Sequence, residues 1–299
     1  MRYSIWMAAL FCAVFAFSGG GEASGEPFRI GLTKAAFTMI STDDASAAVK
    51  FLGVTIIKEG SVPLVAVPIV LGGVEDILST MRSKQVDAII LSTPEFGRTH
   101  HLVPFSPIFA TRNANLLTES FVVVAHRKGP VKSIADLRNR TLYVHDMGRN
   151  CLSRMWLDTV LDQKKLPLSS SFLARVKMET KLSKAVLPVF FRQGDACLVT
   201  RDSFNTMVEL NPQLGEDLTI LAESPGMVPL LFVFRADFKS TYRDIIVKTF
   251  EELHQTVTGQ QALTLFSIEA MEIIDLAFLK PTIELIASYD RLLKRTQRR

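Results

Sequence analysis

Apolar and polar positions along the chain fall into alternating blocks, some with strand-like runs and some with helix-like spacing. Residues 28–32 (Phe-Arg-Ile-Gly-Leu) read as an opening strand. Residues 46–52 set Ala47, Ala48, Phe51 and Leu52 on one face of a helix. Residues 65–70 form a second strand, and Pro68 inside it predicts a sheet edge, because proline cannot donate to a ladder. A helix over 73–83 leads to a third apolar strand, 86–91, which runs into Ser92-Thr93-Pro94-Glu95-Phe96. Strand, helix, strand in this order predicts a mainly parallel sheet covered on both faces.

The pattern then repeats. Strands are predicted at 121–125, 141–144, 195–200, 218–221 and 230–234, with helices at 150–163, 181–192 and 201–210 between them. Helices over 242–257, 260–266 and 281–293 close the chain. Two apolar segments, 116–124 and 221–234, stand out as crossings. A lobe inserted into another lobe needs two. The expected architecture is therefore α/β with two lobes, each a mainly parallel sheet flanked by helices. The first lobe takes residues 27–117 and 228–299, and the second takes 118–227. Ligands in such arrangements sit at the carboxyl ends of the strands, and closure is a hinge motion about the crossings.

Composition changes the picture only at the ends. At 48% hydrophobic and 21% charged, the chain can build a large core and is not a disordered sequence. Residues 1–18 carry Arg2, then an apolar run from Ile5 to Phe17 that breaks at Ser18-Gly19-Gly20-Gly21. That run is shorter than the about 20 residues a membrane helix needs, and it predicts a cleaved signal peptide and an extracytoplasmic, periplasmic location. The net charge of +4 is concentrated in a tail ending Arg291 to Arg299, as suits a helix C-terminus. No aromatic interleaving accompanies it, so nucleic acid is not an expected partner.

Cys12 falls in the leader, which leaves Cys151 and Cys197. In an oxidising compartment they could form a disulfide contributing about 3–4 kcal/mol, or remain two buried thiols; the sequence leaves both open. There is no CxxC, and His100-His101 are adjacent, so no metal site and no cofactor is expected.

The residues around the second lobe carry a family resemblance. Phe121 to Ala125, then Ser133-Ile134-Ala135-Asp136-Leu137, then Thr141-Leu142-Tyr143-Val144 running into His145-Asp146-Met147-Gly148-Arg149-Asn150, resemble the entry into the second lobe of a periplasmic solute-binding protein. The nearest branch is the phosphate/phosphite/phosphonate binders of ABC transporters. Gln85-Val86-Asp87-Ala88 with Thr93-Pro94-Glu95-Phe96, Gly194-Asp195-Ala196, and Ala222-Glu223-Ser224 with Pro229 extend the resemblance over most of the chain. The resemblance implies the periplasmic-binding-protein fold and a cleft ligand site. Its candidate residues are Lys34, Thr93, Glu95, Phe96, His145, Asp146, Gly148, Arg149, Asn150 and Asp195.

One departure stands out. Phosphonate binders of this type begin the second lobe's first helix with a Ser/Thr-Ser-Gly run, whereas this chain has Met147-Gly148-Arg149-Asn150-Cys151. Glu95, Asp146 and Asp195 would also repel an unprotonated dianion. A phosphorus oxyanion and another small solute, cationic or zwitterionic, both stay open. The expected role is capture of a small ligand by a monomer that delivers it to the membrane permease of an ABC importer. The alternatives are a sensor acting on a membrane kinase, or an enzyme on the same scaffold. Enzymatic chemistry is not expected, because His145 with Cys151 is the sole reactive pair and has no third orienting group.

Overall fold

The computed structural model describes residues 25–38, 40–145 and 151–297. β1 (Glu26–Thr33), α1 (Thr42–Glu59), β2 (Leu64–Leu71), α2 (Val74–Arg82), β3 (Ala88–Ser92), α3 (Thr93–Thr99) and β4 (Phe105–Arg112) come first. The chain then passes to β5 (Phe121–His126), β6 (Thr141–His145), α4 (Cys151–Gln163), α5 (Ser169–Phe172), β7 (Arg175–Glu179), α6 (Leu182–Phe190), β8 (Ala196–Thr200), α7 (Arg201–Leu210), α8 (Pro212–Asp217) and β9 (Leu218–Glu223). It returns through β10 (Leu230–Arg235), α9 (Arg243–Glu252), α10 (Val257–Thr264), β11 (Ala270–Ile274) and α11 (Lys280–Thr296).

Two sheets result. One has the order β11-β4-β10-β3-β1-β2 and the other β7-β6-β8-β5-β9. Each is covered on both faces. The first packs one apolar cluster with α1, α9 and α10 and another with α2 and α3. The second packs one cluster with α4 and another with α6, α7 and α8. Strands β3, β5 and β10 are buried along their whole length, which explains their unbroken apolar runs. β2, with Pro68, is an edge strand, as proline at that position requires.

The sheets are more mixed than the expected parallel ones. β2-β1-β3 and β7-β6-β8 are parallel, whereas β3-β10, β10-β4, β4-β11, β8-β5 and β5-β9 are antiparallel. The antiparallel part comes from the chain leaving and re-entering each lobe in opposite directions. β4, β7 and β11 were not foreseen, and α1 is far longer than the stretch 46–52. Ser41 caps α1 by accepting the Asp44 N–H at 3.1 Å, with Asp43 and Asp44 in the first turn. The helix continues through Val54-Thr55-Ile56-Ile57, a strand-like run by propensity, because Thr55 and Ile56 are buried. Gly53 permits the approach: a Cβ there would lie 2.7 Å from the Ala66 Cβ of β2.

Charge is buried at the end of the first sheet away from the crossings. Asp87 is 1% exposed and accepts the Arg29 backbone N–H at 2.8 Å and the Arg29 Nε–H at 3.1 Å. Arg235, also buried, donates to Asp87 at 3.4 Å and to the Val86 carbonyl at 2.9 Å. Removing the carboxylate takes a partner from two guanidinium groups and leaves the Arg29 backbone N–H unpaired. Asp87→Ala should cost about 3–5 kcal/mol in urea unfolding; a loss under about 1 kcal/mol would show that water replaces the carboxylate there.

His126, at the end of β5, is buried and its Nδ1 accepts the Lys128 N–H at 3.0 Å. Burial holds its pKa below the usual 6.5, helped by Arg192, Lys128 and Lys132 and opposed by Asp217. The unfolded chain therefore takes the proton first. Stability is fully present above about pH 6.5 and falls as pH drops below it. Asp136 and Asp237, whose hydrogen-bonding partners depress their pKa values, contribute their pH dependence only as pH falls below 3.8. Denaturation midpoints should thus fall between pH 7 and pH 5, and His126→Asn, which keeps an acceptor, should flatten that interval. An unchanged slope in the variant would assign the dependence to other groups.

Candidate functional site

β4 runs out of the first sheet through residues 113–120 into β5, and β9 returns through 224–229 into β10. The two connections pair with each other. The Glu119 N–H donates to the Met227 carbonyl at 2.8 Å, and the Met227 N–H donates back at 2.9 Å. Ser224 ties the second connection to β5: its hydroxyl accepts the Phe121 N–H at 2.8 Å. Just after β4, Asn113 and Leu116 exchange backbone hydrogen bonds at 2.9 and 2.7 Å around a tight turn. Ala114 and Asn115 at its tip have φ of 47° and 62°. Two consecutive left-handed residues define a type I′ hairpin turn, in which alanine is an unusual and strained occupant.

Beside these connections lies a cavity of about 550 Å3. The second lobe lines it with His145 at the end of β6, with Thr200 at the end of β8, and with Arg201, Asp202, Ser203 and Asn205 of α7. The first lobe contributes Thr111, Pro229, Ser267 and Glu269, and the connection adds Asn113, Ala114 and Leu116 to Ser120. Every strand that enters the wall from the second lobe does so by its carboxyl end, as expected for a parallel ladder.

The α7 end is well ordered. Thr200 caps it, accepting the Ser203 N–H at 3.3 Å and donating its hydroxyl to Ser203 Oγ at 2.7 Å. The Arg201 N–H donates to the Ser120 carbonyl at 2.7 Å, and its guanidinium donates to Glu223 at 2.9 Å. Arg201 is thus held against both crossings. The charge of the wall is biased: Glu119, Asp202 and Glu269 face Arg201 and the buried His145. Hydroxyls, amides and the apolar Ala114, Leu116, Leu117 and Pro229 fill the remainder. Among the described residues no group of three or more His, Cys, Asp or Glu is placed to hold a metal ion.

Of the expected ligand residues, His145 lines this cavity. Asp146, Gly148, Arg149 and Asn150 lie outside the described residues. The others go elsewhere. Asp195 sits at the amino end of β8, where it accepts the Thr141 N–H at 2.9 Å and pairs with Arg140. Five residues of strand separate it from the wall, about 16 Å. Phe96 is fully buried, stacked between His100 and Phe105 with centroids at 5.2 and 5.4 Å, so it is core. Glu95 is buried as well, and its Oε2 accepts from the Thr33 hydroxyl at 2.6 Å and from the Ser92 hydroxyl and N–H at 2.8 and 3.0 Å. It closes a capping box on α3, not a ligand contact. Thr93 is buried with its hydroxyl unpartnered, and Lys34 is exposed on the turn after β1; neither lines the cavity.

Cys197 is a free thiol, fully buried, with its pKa pushed up to about 12 by desolvation. The disulfide considered above is not made. Ala196 and Leu198 of β8 face the cluster that holds α4, so Cys197 between them faces α6 on the other side of the sheet.

The profile of a family described as the periplasmic substrate-binding protein of phosphonate ABC transporters matches residues 39–277. No curated protein sequence matches the chain. Among solved structures, XAC2383 from Xanthomonas citri, bound to ATP, is 14% identical with a TM-score of 0.60, covering 90% of this chain and 99% of that one. PhnD1 from Prochlorococcus marinus, in complex with methylphosphonate, is also 14% identical, at TM-score 0.55, covering 87% and 97%. A phosphonate-transporter binding component from Pseudomonas aeruginosa is 13% identical, at TM-score 0.55, covering 89% and 87%. At these identities the structures establish the fold, which is that of two-lobed periplasmic binding proteins.

The capping-box reading of Glu95 is testable. Glu95→Ala should lower the unfolding free energy by about 1–3 kcal/mol, since it leaves the Thr33 and Ser92 donors buried and unpaired. Unchanged stability would return Glu95 to the ligand candidates.

Proposed function

The chain belongs to the periplasmic substrate-binding proteins of phosphonate ABC transporters, and from that premise we propose that it captures a small polar ligand in the cavity beside its two crossings and hands it to the membrane permease of an importer. One observation carries this reading. The cavity draws its walls from both sheets and from the paired connections at Glu119 and Met227, so lobe rotation about that pair changes its volume directly. In this reading the lobes are residues 27–117 with 228–299, and 118–227. Residues 1–18 act as the export signal, and the mature protein works as a monomer. It binds and releases without covalent chemistry.

The described wall also bears on ligand class. Three carboxylates face one arginine that already pairs with Glu223, which disfavours a bare dianion. A ligand that pairs a phosphonate or other oxyanion with an ammonium or several hydroxyls satisfies both signs. Arg201, with the α7 end behind it, would hold the anionic part. Glu119, Asp202 and Glu269 would take the donors.

A thermal-shift panel on the mature protein tests this with phosphate, phosphite, methylphosphonate, an aminoalkylphosphonate, amino acids and polyamines. A ligand at 100 times its dissociation constant should add about 2.7 kcal/mol of stability. The aminoalkylphosphonate should give the largest shift, accompanied by a smaller radius of gyration in small-angle scattering. Arg201→Ala should weaken that binding about tenfold or more. Methylphosphonate shifting as strongly would remove the role given to the carboxylates. Silence across the panel would remove the capture role.

A further inference from the structure

α11 does not remain with the lobe that its place in the chain assigns to it. It follows β11, and its first turn is anchored in the first lobe, where Leu279 is fully buried and Ile283 packs on the same cluster. One turn later Leu285 and Ile286 are buried in the core of the second lobe, with Leu152, Trp156 and Leu157 of α4. Further along, Arg295 donates to Asp162 of α4 at 2.6 Å. Burial and the nearby Asp158 of α4 raise the Tyr289 pKa, so this part of α11 lies close against α4.

The other flank of the helix meets α3. Arg98 grips Asp290 through two hydrogen bonds at 2.6 and 2.9 Å. Ile286 also closes on Gly97, where an added Cβ would lie 3.0 Å from its Cδ1. At the start of α11, the Thr282 hydroxyl oxygen accepts the Val228 N–H at 3.0 Å. Val228 is the next residue after Met227, so all three passages between the lobes meet at one point.

We infer that α11 is a third link between the lobes, that it travels with the second lobe, and that its seam with α3 is the surface lobe motion breaks and remakes. The inference rests on the hinge-closure reading above. The two flanks of the helix decide which seam yields. Against α4 the helix is sealed by two side chains inside a core cluster, and a core of that kind does not slide continuously. Beyond the pivot turn, where Leu279 and Ile283 sit in the first lobe's core, it is held against α3 by a partly exposed charge pair and one methyl facing a glycine. A pivot at Val228 and Thr282 lets the weaker seam move while the stronger one stays shut. Arg98, Asp290 and Ile286 then set the balance between lobe arrangements, although none of them lines the cavity. Ligand affinity inherits that balance, because binding draws on the fraction of competent protein.

Distances between spin labels test this without a ligand. In a Cys151→Ser background, with Cys197 buried and unreactive, one label pair on Lys50→Cys and Glu209→Cys reports the lobes. A second pair on Lys164→Cys and Gln297→Cys reports the α4–α11 seam. Asp290→Ala should raise the population of the minor interlobe distance by up to about fivefold, the most a pair of this exposure supplies, and leave the α4–α11 distance narrow. Gly97→Ala, which crowds the same seam without touching charge, should act in the same direction. An unchanged interlobe distribution in both variants overturns the inference. So does a broadened α4–α11 distance, which would mean that the helix belongs to the first lobe. Ligand-induced compaction in scattering reports on the capture reading separately.

Discussion

Two peptide hydrogen bonds, between Glu119 and Met227, constrain the whole structure. They join β4 and β10, which are antiparallel neighbours in the first sheet, to β5 and β9, antiparallel neighbours in the second. The result is one long antiparallel ribbon threaded through both sheets. It explains why each sheet is parallel on one side and antiparallel on the other. It also places a narrow, hydrogen-bonded waist between two wide cores, where a small change in backbone angle becomes a large displacement of the lobes. The cavity lies against that waist, so in the capture reading proposed above motion and binding share one place.

The distribution of polar burial follows from this. At the end of the first sheet far from the waist, Asp87 is satisfied by Arg29 and Arg235, and in the second sheet Asp195 is satisfied by the Thr141 N–H and Arg140. These groups fasten strands at ends remote from the cavity. Nearer the waist, one Glu95 oxygen, Oε2, is held by Thr33 and Ser92. Where strands end in the cavity, the wall is made by His145, Thr200 and the first residues of α7. A carboxylate with its acceptors filled by the protein is structural however well its position in the sequence suits a cleft.

Much of the fold was legible because burial imposes simple patterns. The fully buried β3, β5 and β10, and β8, buried except at Thr200, announce themselves as apolar runs, and the two crossings follow from the length of apolar sequence at 116–124 and 221–234. What failed was strand recognition where one face is exposed. β7 reads Arg-Val-Lys-Met-Glu and β11 reads Ala-Met-Glu-Ile-Ile, and both lie at sheet edges, where charge replaces hydrophobicity. The site was less legible than the fold. Asp195 was chosen at the amino end of a strand whose carboxyl end, Thr200, was already visible in the sequence; applying the carboxyl-end rule there would have pointed to Arg201, Asp202 and Ser203. Ser267 and Glu269 carried no signal, because their place depends on β11 pairing with β4 from the far end of the chain.

The same contrast explains how a fold persists at 13–14% identity to its structural neighbours. Apolar strands tolerate exchange among Val, Ile, Leu and Phe as long as volume and alternation hold, so the ribbon and the two cores survive extensive substitution. A ligand wall has no such degeneracy: replacing a hydroxyl by a carboxylate inverts the charge it accepts. The described wall sets Glu119, Asp202 and Glu269 around a paired Arg201. In the capture reading proposed above, the scaffold sets where the ligand sits and the wall chemistry sets which one.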